Sequence, residues 1–146
     1  MKGVNSMLSK HFSESEFWCR GQDQGTCNCG HSLYIDSRLI DLLEQLRDNI
    51  GGYPLEISSG YRCRVHNASP AVGGASSSQH CQGTAADVIC PAQLSHAEFL
   101  WYASQLPFDG IGSYDRGGYG QGWLHLDVRE GGTSWGDLSS RYYWEG

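Results

Sequence analysis

The clearest periodic pattern in the chain is an apolar stripe between residues 36 and 52. Its side chains recur at three- and four-residue spacing: Leu39, Ile40, Leu42, Leu43, Leu46 and Ile50. Asp36 precedes the stripe as an N-cap, and Gly51 and Gly52 follow it as a stop signal. The pattern predicts an amphipathic helix that packs on a core.

Two shorter helices are predicted by capping boxes, in which a serine is followed three residues later by a glutamate. Ser13 and Glu16 form the first box, ahead of an apolar pair. Ser95 and Glu98 form the second, and the apolar positions after them predict a helix that continues to about Gln105.

Short apolar or alternating runs between turn residues predict four strands. They cover residues 54–58, 85–89, 110–114 and 123–129. The glycine-rich segment 116–122 predicts that the last two strands pair as a hairpin, and the Ser/Ala/Gly-rich segment 65–79 predicts a long loop. These elements predict one α+β domain over residues 1–146, with a small antiparallel sheet and helices packed on one side.

Composition narrows the class of protein. The net charge is -6, and no Lys/Arg cluster is present, which argues against nucleic-acid binding. No apolar run is long enough for a membrane span, and the first ten residues lack the apolar core of a signal peptide. The tail 131–146 is aromatic, with Trp135, Tyr142, Tyr143 and Trp144, and we expect it to dock on the domain.

Six cysteines in a chain of 146 residues favour disulfide bonds and an oxidising destination, although the sequence does not fix their pairing. An alternative is a structural zinc site made by Cys19, Cys27, Cys29 and His31. Their spacing matches no standard zinc finger.

The main candidate chemistry lies in His80, Asp87 and His125. His80 and Asp87 flank a Gly/Ala-rich turn that leads into a predicted strand, and His125 lies in the alternating run 123–129. Small residues permit a tight turn, and two histidines with one carboxylate are a usual ligand set for a catalytic zinc with a position open for water. Strand alternation places His125 and Asp127 on the same face.

The order Ser78-x-His80-x-x-Gly83-x-Ala85-x-Asp87, followed by a strand-borne histidine, resembles the zinc D-alanyl-D-alanine carboxypeptidase family. That family includes cell-wall endopeptidases and phage endolysins and shares its fold with the hedgehog signalling domain. The resemblance covers residues from about 11 to 130 and is greatest to the short, single-domain members of bacteria and prophages. It implies that His80, Asp87 and His125 bind one zinc ion.

The resemblance also implies an active-site role for Arg62, which matches the family arginine that precedes the first ligand. Its guanidinium would stabilise an oxyanion or pair with a substrate carboxylate, whereas the alternative is a surface salt bridge. Arg64 is nearby but does not match. Tyr61 and Tyr114 are candidate substrate-binding residues, and Trp123 is predicted to belong to the core.

The chain differs from the family pattern at the position of the general base. Many members carry an acid three positions before the last histidine, where this chain has Gly122. Asp127 is the first candidate to replace that acid. Its alternative role is to accept the N–H of His125 or to pair with Arg129. Asp115 and Glu130 are lesser candidates.

These features predict a monomeric zinc peptidase that cuts peptidoglycan stem peptides at bonds involving D-amino acids. It would act in the periplasm or cell wall, and the missing signal peptide suggests a phage-encoded enzyme released at lysis. One alternative is a zinc-containing peptide- or wall-binding module without hydrolytic activity. Another is a cysteine-stapled extracellular domain in which His80 and His125 are incidental.

Overall fold

A five-stranded sheet forms the centre of the computed structural model, which describes residues 5–131 and 141–146. Its strand order within those residues is β1-β2-β4-β3-β5. All neighbours pair antiparallel except β5, which lies parallel to β3. The strands are β1 (Ile57–Ser59), β2 (Ala85–Ile89), β3 (Gly110–Tyr114), β4 (Trp123–Asp127) and β5 (Tyr142–Glu145). The α+β prediction and the β3–β4 hairpin are confirmed.

One face of the sheet packs on the helices. The described α-helices are α1 (Gly21–Gln24), α2 (Ser37–Asn49), α3 (Arg64–Ala68) and α4 (His96–Ser104), with 3-10 helices at Glu14–Glu16 and Gln79–Gln82. The side chains of α2 and α4 share one buried apolar cluster with Ala86, Val88, Ile111, Leu124 and Leu126 of the sheet. None of the helices in the described residues is long and apolar enough to cross a membrane.

The predicted caps are present where the local sequence placed them. The Asp36 side chain accepts a hydrogen bond from the N–H of Arg38, and α2 begins at the next residue, Ser37. Both capping boxes form, at Ser13 and at Ser95. These interactions span only two or three residues, which explains why local sequence was sufficient to predict them.

The opposite face of the sheet carries residues of the predicted site. Asp87 on β2 lies directly across from His125 on β4, which in turn lies across from Gly112 on β3. Gly112 pairs with Trp144 on β5. Four strands therefore contribute one residue each to a single line across the sheet, and that line contains two of the predicted ligands.

The prediction of loop over 65–79 was wrong at its first residues, where α3 forms. The Cys63 sulfur accepts the N–H of His66 as an N-cap, and His66 and Asn67 are both buried. The Asn67 amide donates to the carbonyl of Ala75 at 2.9 Å. Polar residues hold this short helix in place, so apolar periodicity did not reveal it.

The tail docks through β5, a strand that the sequence pattern did not predict, whereas Trp135 lies outside the described residues. All six cysteines are described and free, so the predicted disulfides are not found. Cys19, Cys27 and Cys29 lie together, but their neighbour is Cys63 and not His31. His31 instead contacts Asp23 at 2.6 Å.

Candidate metal centre

His80, Asp87 and His125 each bring one potential ligand atom to within 4.8 Å of the other two. His80 Nε2 lies 3.3 Å from Asp87 Oδ1, and His125 Nδ1 lies 3.4 Å from the same oxygen. Both histidines are buried, whereas Asp87 is partly exposed. The three residues that the sequence singled out therefore meet at one point.

The turn around His80 depends on small residues. The Ser78 hydroxyl accepts the His80 N–H at 3.2 Å, and Gly83 ends the 3-10 helix with a φ of 73°. That left-handed conformation suits glycine. A Cβ at Gly83 would also collide with the Tyr34 ring and backbone. Glycine is therefore needed where the chain passes from His80 to the strand that carries Asp87.

Hydrogen bonds on the far side of each ring determine which nitrogen faces Asp87. His80 Nδ1 donates to the Gly60 carbonyl at 2.7 Å, which leaves Nε2 with its lone pair. His125 Nε2 donates to Asp127 Oδ2 at 2.7 Å, which leaves Nδ1. Three lone-pair-bearing atoms that face one another need a cation or protons between them. Two imidazoles supported in this way, together with one carboxylate, fit zinc.

The charges of the group also favour a cation. Burial raises the pKa of Asp87, but the facing imidazoles of His125 and His80 outweigh it and hold that pKa well below its ordinary value. Burial lowers the pKa of His125, but Asp127 and Asp87 outweigh it and the net shift is upward. The local potential is therefore negative at the point where the ligand atoms converge.

Asp127 lies behind His125 and is fully buried, with 0% of its surface exposed. It accepts hydrogen bonds from Arg129 Nε at 3.0 Å and Nη2 at 2.6 Å. Burial raises the pKa of Asp127, but the bonds from His125 and Arg129 outweigh it and lower that pKa to about 2. A Cβ at Gly110, on the neighbouring strand, would collide with this carboxylate. The geometry favours the alternative role, in which Asp127 orients the His125 ring, over the role of general base.

An open cleft of about 520 Å³ lies over the three ligands. Its lining residues are Arg62, Ala75, Ser77, Ser78, Gln79, His80, Asp87, Tyr114, Trp123, His125, Arg129 and Trp144. Arg62 and Tyr114, which the sequence analysis proposed for substrate binding, both line this cleft. Tyr61 does not line this cleft but a smaller neighbouring depression of about 150 Å³.

Arg62 lines the cleft and keeps one buried donor that has no partner in the described part of the chain. Its Nη2 donates to the Ser78 hydroxyl at 3.2 Å, whereas its buried Nε has no acceptor among the described residues. Burial lowers the pKa of Arg62 and the charge of Asp87 raises it, yet a guanidinium stays protonated. Arg64 is exposed. Arg62 therefore places a permanent positive charge on the wall of the cleft, near Asp87.

The sequence did not identify Trp144 as a site residue. Its ring lies 4.9 Å from that of His125, and its Nε1 donates to the Tyr114 hydroxyl at 2.9 Å. Trp123 was predicted to be core, but it is half-buried and lines the cleft, stacked on Tyr114 at 4.7 Å. The aromatic residues of the tail were the signal in the sequence that could have indicated Trp144. The pairing of β5 with β3 brings this residue to the cleft.

Gly122 occupies a position that an acid would not fit. Its φ is 77°, and a Cβ there would collide with the carbonyl of Tyr114. Asp115 is exposed and accepts the Gly117 N–H at 2.9 Å, and Glu130 is exposed beyond β4. Among the described residues that line the cleft, Asp87 is the only carboxylate.

Comparison with known proteins identifies a family. A family model described as Peptidase M15 matches residues 10–127, a range that contains Arg62 and all three ligands. No curated protein matches the chain. The matched range covers most of the chain, and it ends before the strand that carries Trp144. The chain therefore belongs to the Peptidase M15 family, zinc metallopeptidases of the peptidoglycan-acting kind.

Proposed function

We propose that this protein hydrolyses peptidoglycan stem peptides at bonds involving D-amino acids, acting as a monomer in the periplasm or cell wall. The observation that carries the proposal is the convergence of His80, Asp87 and His125 beneath a cleft that Arg62 also enters. One zinc ion held by those three residues would polarise the scissile carbonyl and lower the pKa of a water molecule.

The protein's own contribution begins with the orientation of the ligands. The Gly60 carbonyl holds the His80 ring, and the Asp127 carboxylate holds the His125 ring. Neither ring can rotate without breaking a short buried hydrogen bond. The ligand atoms are thus preorganised, which reduces the reorganisation required when the metal and substrate bind.

Arg62 would bind the oxygen on which negative charge develops, or the terminal carboxylate of the stem peptide. Its guanidinium lines the cleft, and its Nη2 is held by the Ser78 hydroxyl. A guanidinium fixed in this way offers directed donors to a ligand in the cleft. Binding of the terminal carboxylate would make the enzyme a carboxypeptidase, and binding of a developing oxyanion is compatible with internal cleavage.

The aromatic wall would select the shape of the peptide. Tyr114 and Trp123 are stacked, and Trp144 is tied to Tyr114 by a hydrogen bond. These rings form a rigid side of an open cleft, where a short peptide with small side chains would lie flat.

A second candidate is a zinc-containing module that binds wall peptides without cutting them. It is favoured by the absence of a second carboxylate in the cleft among the residues that the structure describes, and by the glycine at position 122. Proton transfer from water to the leaving amine normally employs a positioned acid or base.

The test is incubation of zinc-loaded protein with purified sacculi, followed by mass spectrometry of the soluble fraction. Release of terminal D-alanine identifies a carboxypeptidase, and cleaved cross-links identify an endopeptidase. Protein that sediments with sacculi and releases nothing supports the binding module and refutes hydrolysis.

Two neighbouring arginines provide a matched pair of variants for the same assay. Arg62→Ala should reduce turnover by about 10²–10³-fold, the usual effect of removing an oxyanion donor. Arg64→Ala removes an exposed guanidinium two positions away and should leave turnover unchanged. Equal effects of the two changes would contradict the assignment of Arg62.

A further inference from the structure

Four cysteine sulfurs form a second cluster outside the cleft. Those of Cys19, Cys27, Cys29 and Cys63 all lie within 4.8 Å of one another. The Cys19 and Cys27 sulfurs are 3.9 Å apart, and those of Cys27 and Cys29 are 3.5 Å apart. Four sulfurs around one zinc, each at about 2.3 Å from it, would be about 3.8 Å apart. The cluster thus has the spacing of a tetrahedral metal site.

We propose that Cys19, Cys27, Cys29 and Cys63 bind a second, structural zinc ion as a tetrathiolate. A site with four protein ligands leaves no position for water, so its contribution is to stability and not to catalysis. This ion is separate from the one assigned to the cleft, and the proposal stands whether or not the cleft hydrolyses peptides.

Backbone donors already surround the sulfurs. The Cys63 N–H donates to the Cys19 sulfur, the Ser32 N–H to the Cys29 sulfur and the His66 N–H to the Cys63 sulfur, each at 3.4 Å. Hydrogen bonds of this kind stabilise thiolates and orient them toward a metal. Three of the four ligands therefore have a supporting donor in place.

The chain around the cysteines has few apolar contacts to hold it. Between Phe17 and Leu39 the buried apolar cluster gains only the partly buried Leu33 and Ile35, and the segment 22–25 is exposed. The buried side chains in this stretch are Cys19, with 0% exposure, and Cys27, with 9%. A metal that joins this glycine-rich loop to the start of α3 would replace the missing apolar contacts.

The cluster also has an entry path and a tightly packed floor. Cys27, Cys29 and Cys63 line an open depression of about 580 Å³, through which an ion can reach the sulfurs. On the inner side, a Cβ at Gly21 would lie 2.5 Å from the Cys27 sulfur and 2.8 Å from His66. The absence of a side chain at Gly21 lets the loop approach closely enough for the sulfurs to meet.

The position of the cluster suggests what a metal there would stabilise. Cys63 follows Arg62 directly, and the Arg62 N–H donates to the His80 carbonyl at 3.2 Å. Gly60, three residues before Cys63, holds the His80 ring through its carbonyl. Fixing Cys63 would therefore help to place both the arginine and the first ligand of the cleft.

The first experiment measures metal content per chain in protein purified with zinc and without chelator. We expect about two zinc ions in the wild type and about one in Cys29→Ser. His125→Ala should also retain about one, and the combined variant none. Cys81→Ser and Cys90→Ser are matched controls, since both residues lie outside the cluster, and each should retain two. A metal content that Cys29→Ser does not lower would overturn the proposal, whether the wild type holds one ion or two.

A second measurement needs no variant. Cobalt(II) substituted into the full chain should show strong sulfur-to-metal charge-transfer absorption in the near ultraviolet, which a site of two histidines and a carboxylate does not give. Titration of the denatured, chelated protein with a thiol reagent should find all six cysteines reduced. Missing charge-transfer absorption, or four thiols lost to disulfides, would each overturn the proposal.

Discussion

Replacing Asp127 by asparagine removes one negative charge from a buried group while preserving the shape of the side chain. The carboxylate accepts hydrogen bonds from His125 Nε2 at 2.7 Å and from the Arg129 guanidinium at 2.6 and 3.0 Å. Oδ2 accepts from both His125 and Arg129 Nη2, whereas Oδ1 accepts from the Nε and backbone N–H of Arg129. Asparagine has one acceptor oxygen, so it would keep one of these two pairs of bonds and place an amide N–H against the other pair. In either orientation the negative charge that supports His125 and offsets Arg129 is lost.

The size of the loss in zinc affinity or in turnover depends on what the Asp127 carboxylate does. If Asp127 holds His125, its loss should weaken zinc binding by about 10–100-fold, the usual effect of removing a partner of a metal ligand. This corresponds to about 1.4–2.8 kcal/mol. If Asp127 is instead the general base, turnover should fall by about 10²–10⁴-fold with zinc affinity unchanged. A carboxylate with a pKa of about 2 is poorly matched to accept protons near neutral pH, which favours the first outcome.

The assay measures zinc affinity by competition with a chelator, and then turnover on sacculi at saturating zinc. We expect Asp127→Asn to show weakened zinc binding and turnover that largely recovers when zinc is in excess. Asp115→Asn is the control, because it changes an exposed acid on a loop, and neither quantity should move. Unchanged zinc affinity together with a loss of turnover above about 10²-fold would refute this reasoning. It would show instead that Asp127 acts as the general base.

The remaining predictions concern the cleft and the stability of the fold. The Arg62→Lys variant should keep its zinc but lose at least about tenfold in turnover, since an ammonium does not reproduce the guanidinium fork. Full activity would contradict the role of Arg62 as a directed donor. Gly112→Ala would place a methyl 2.5 Å from the Trp144 ring, so urea unfolding should show a loss of about 1–3 kcal/mol, and unchanged stability would mean that β5 is not paired as described. Asp36→Ala should cost about 1 kcal/mol by the same measurement at neutral pH. The Asp36 pKa is lowered by Arg38, so this difference is present above the ordinary value of 3.8 and should vanish as the pH falls through the lower folded pKa; a difference that persists in acid would contradict the capping role.

Local patterns predicted the elements whose stabilising contacts lie within a few residues. Asp36 caps α2, and the stripe that follows it buries Leu39, Leu43 and Leu46. The Ser95 capping box begins α4 in the same way. In contrast, α3 is held by the Cys63 cap and by the buried polar residues His66 and Asn67. Such polar contacts have no period in the sequence, so the pattern could not predict that helix.

The candidate ligands were predictable for a different reason. A small-residue turn between His80 and Asp87, followed by a histidine on an alternating strand, is the order of residues that a metal site of this family requires. The structure brings them together as expected, with both histidines facing one oxygen of Asp87. The sequence also indicated a tight turn between His80 and Asp87, because Gly83, Ala85 and Ala86 are small.

By itself, then, the sequence indicated the fold class and the main helices through local spacing, and it singled out His80, Asp87 and His125 through the order of residues that resembles a known family. The tertiary structure alone decided that Trp144 borders the cleft, that Cys63 and not His31 joins the other three cysteines, and that Asp127 lies behind His125. Each of these depends on how segments far apart in the chain pack together or on where a buried side chain points. Such contacts are fixed by strand register and core packing, and they leave no periodic trace in the sequence.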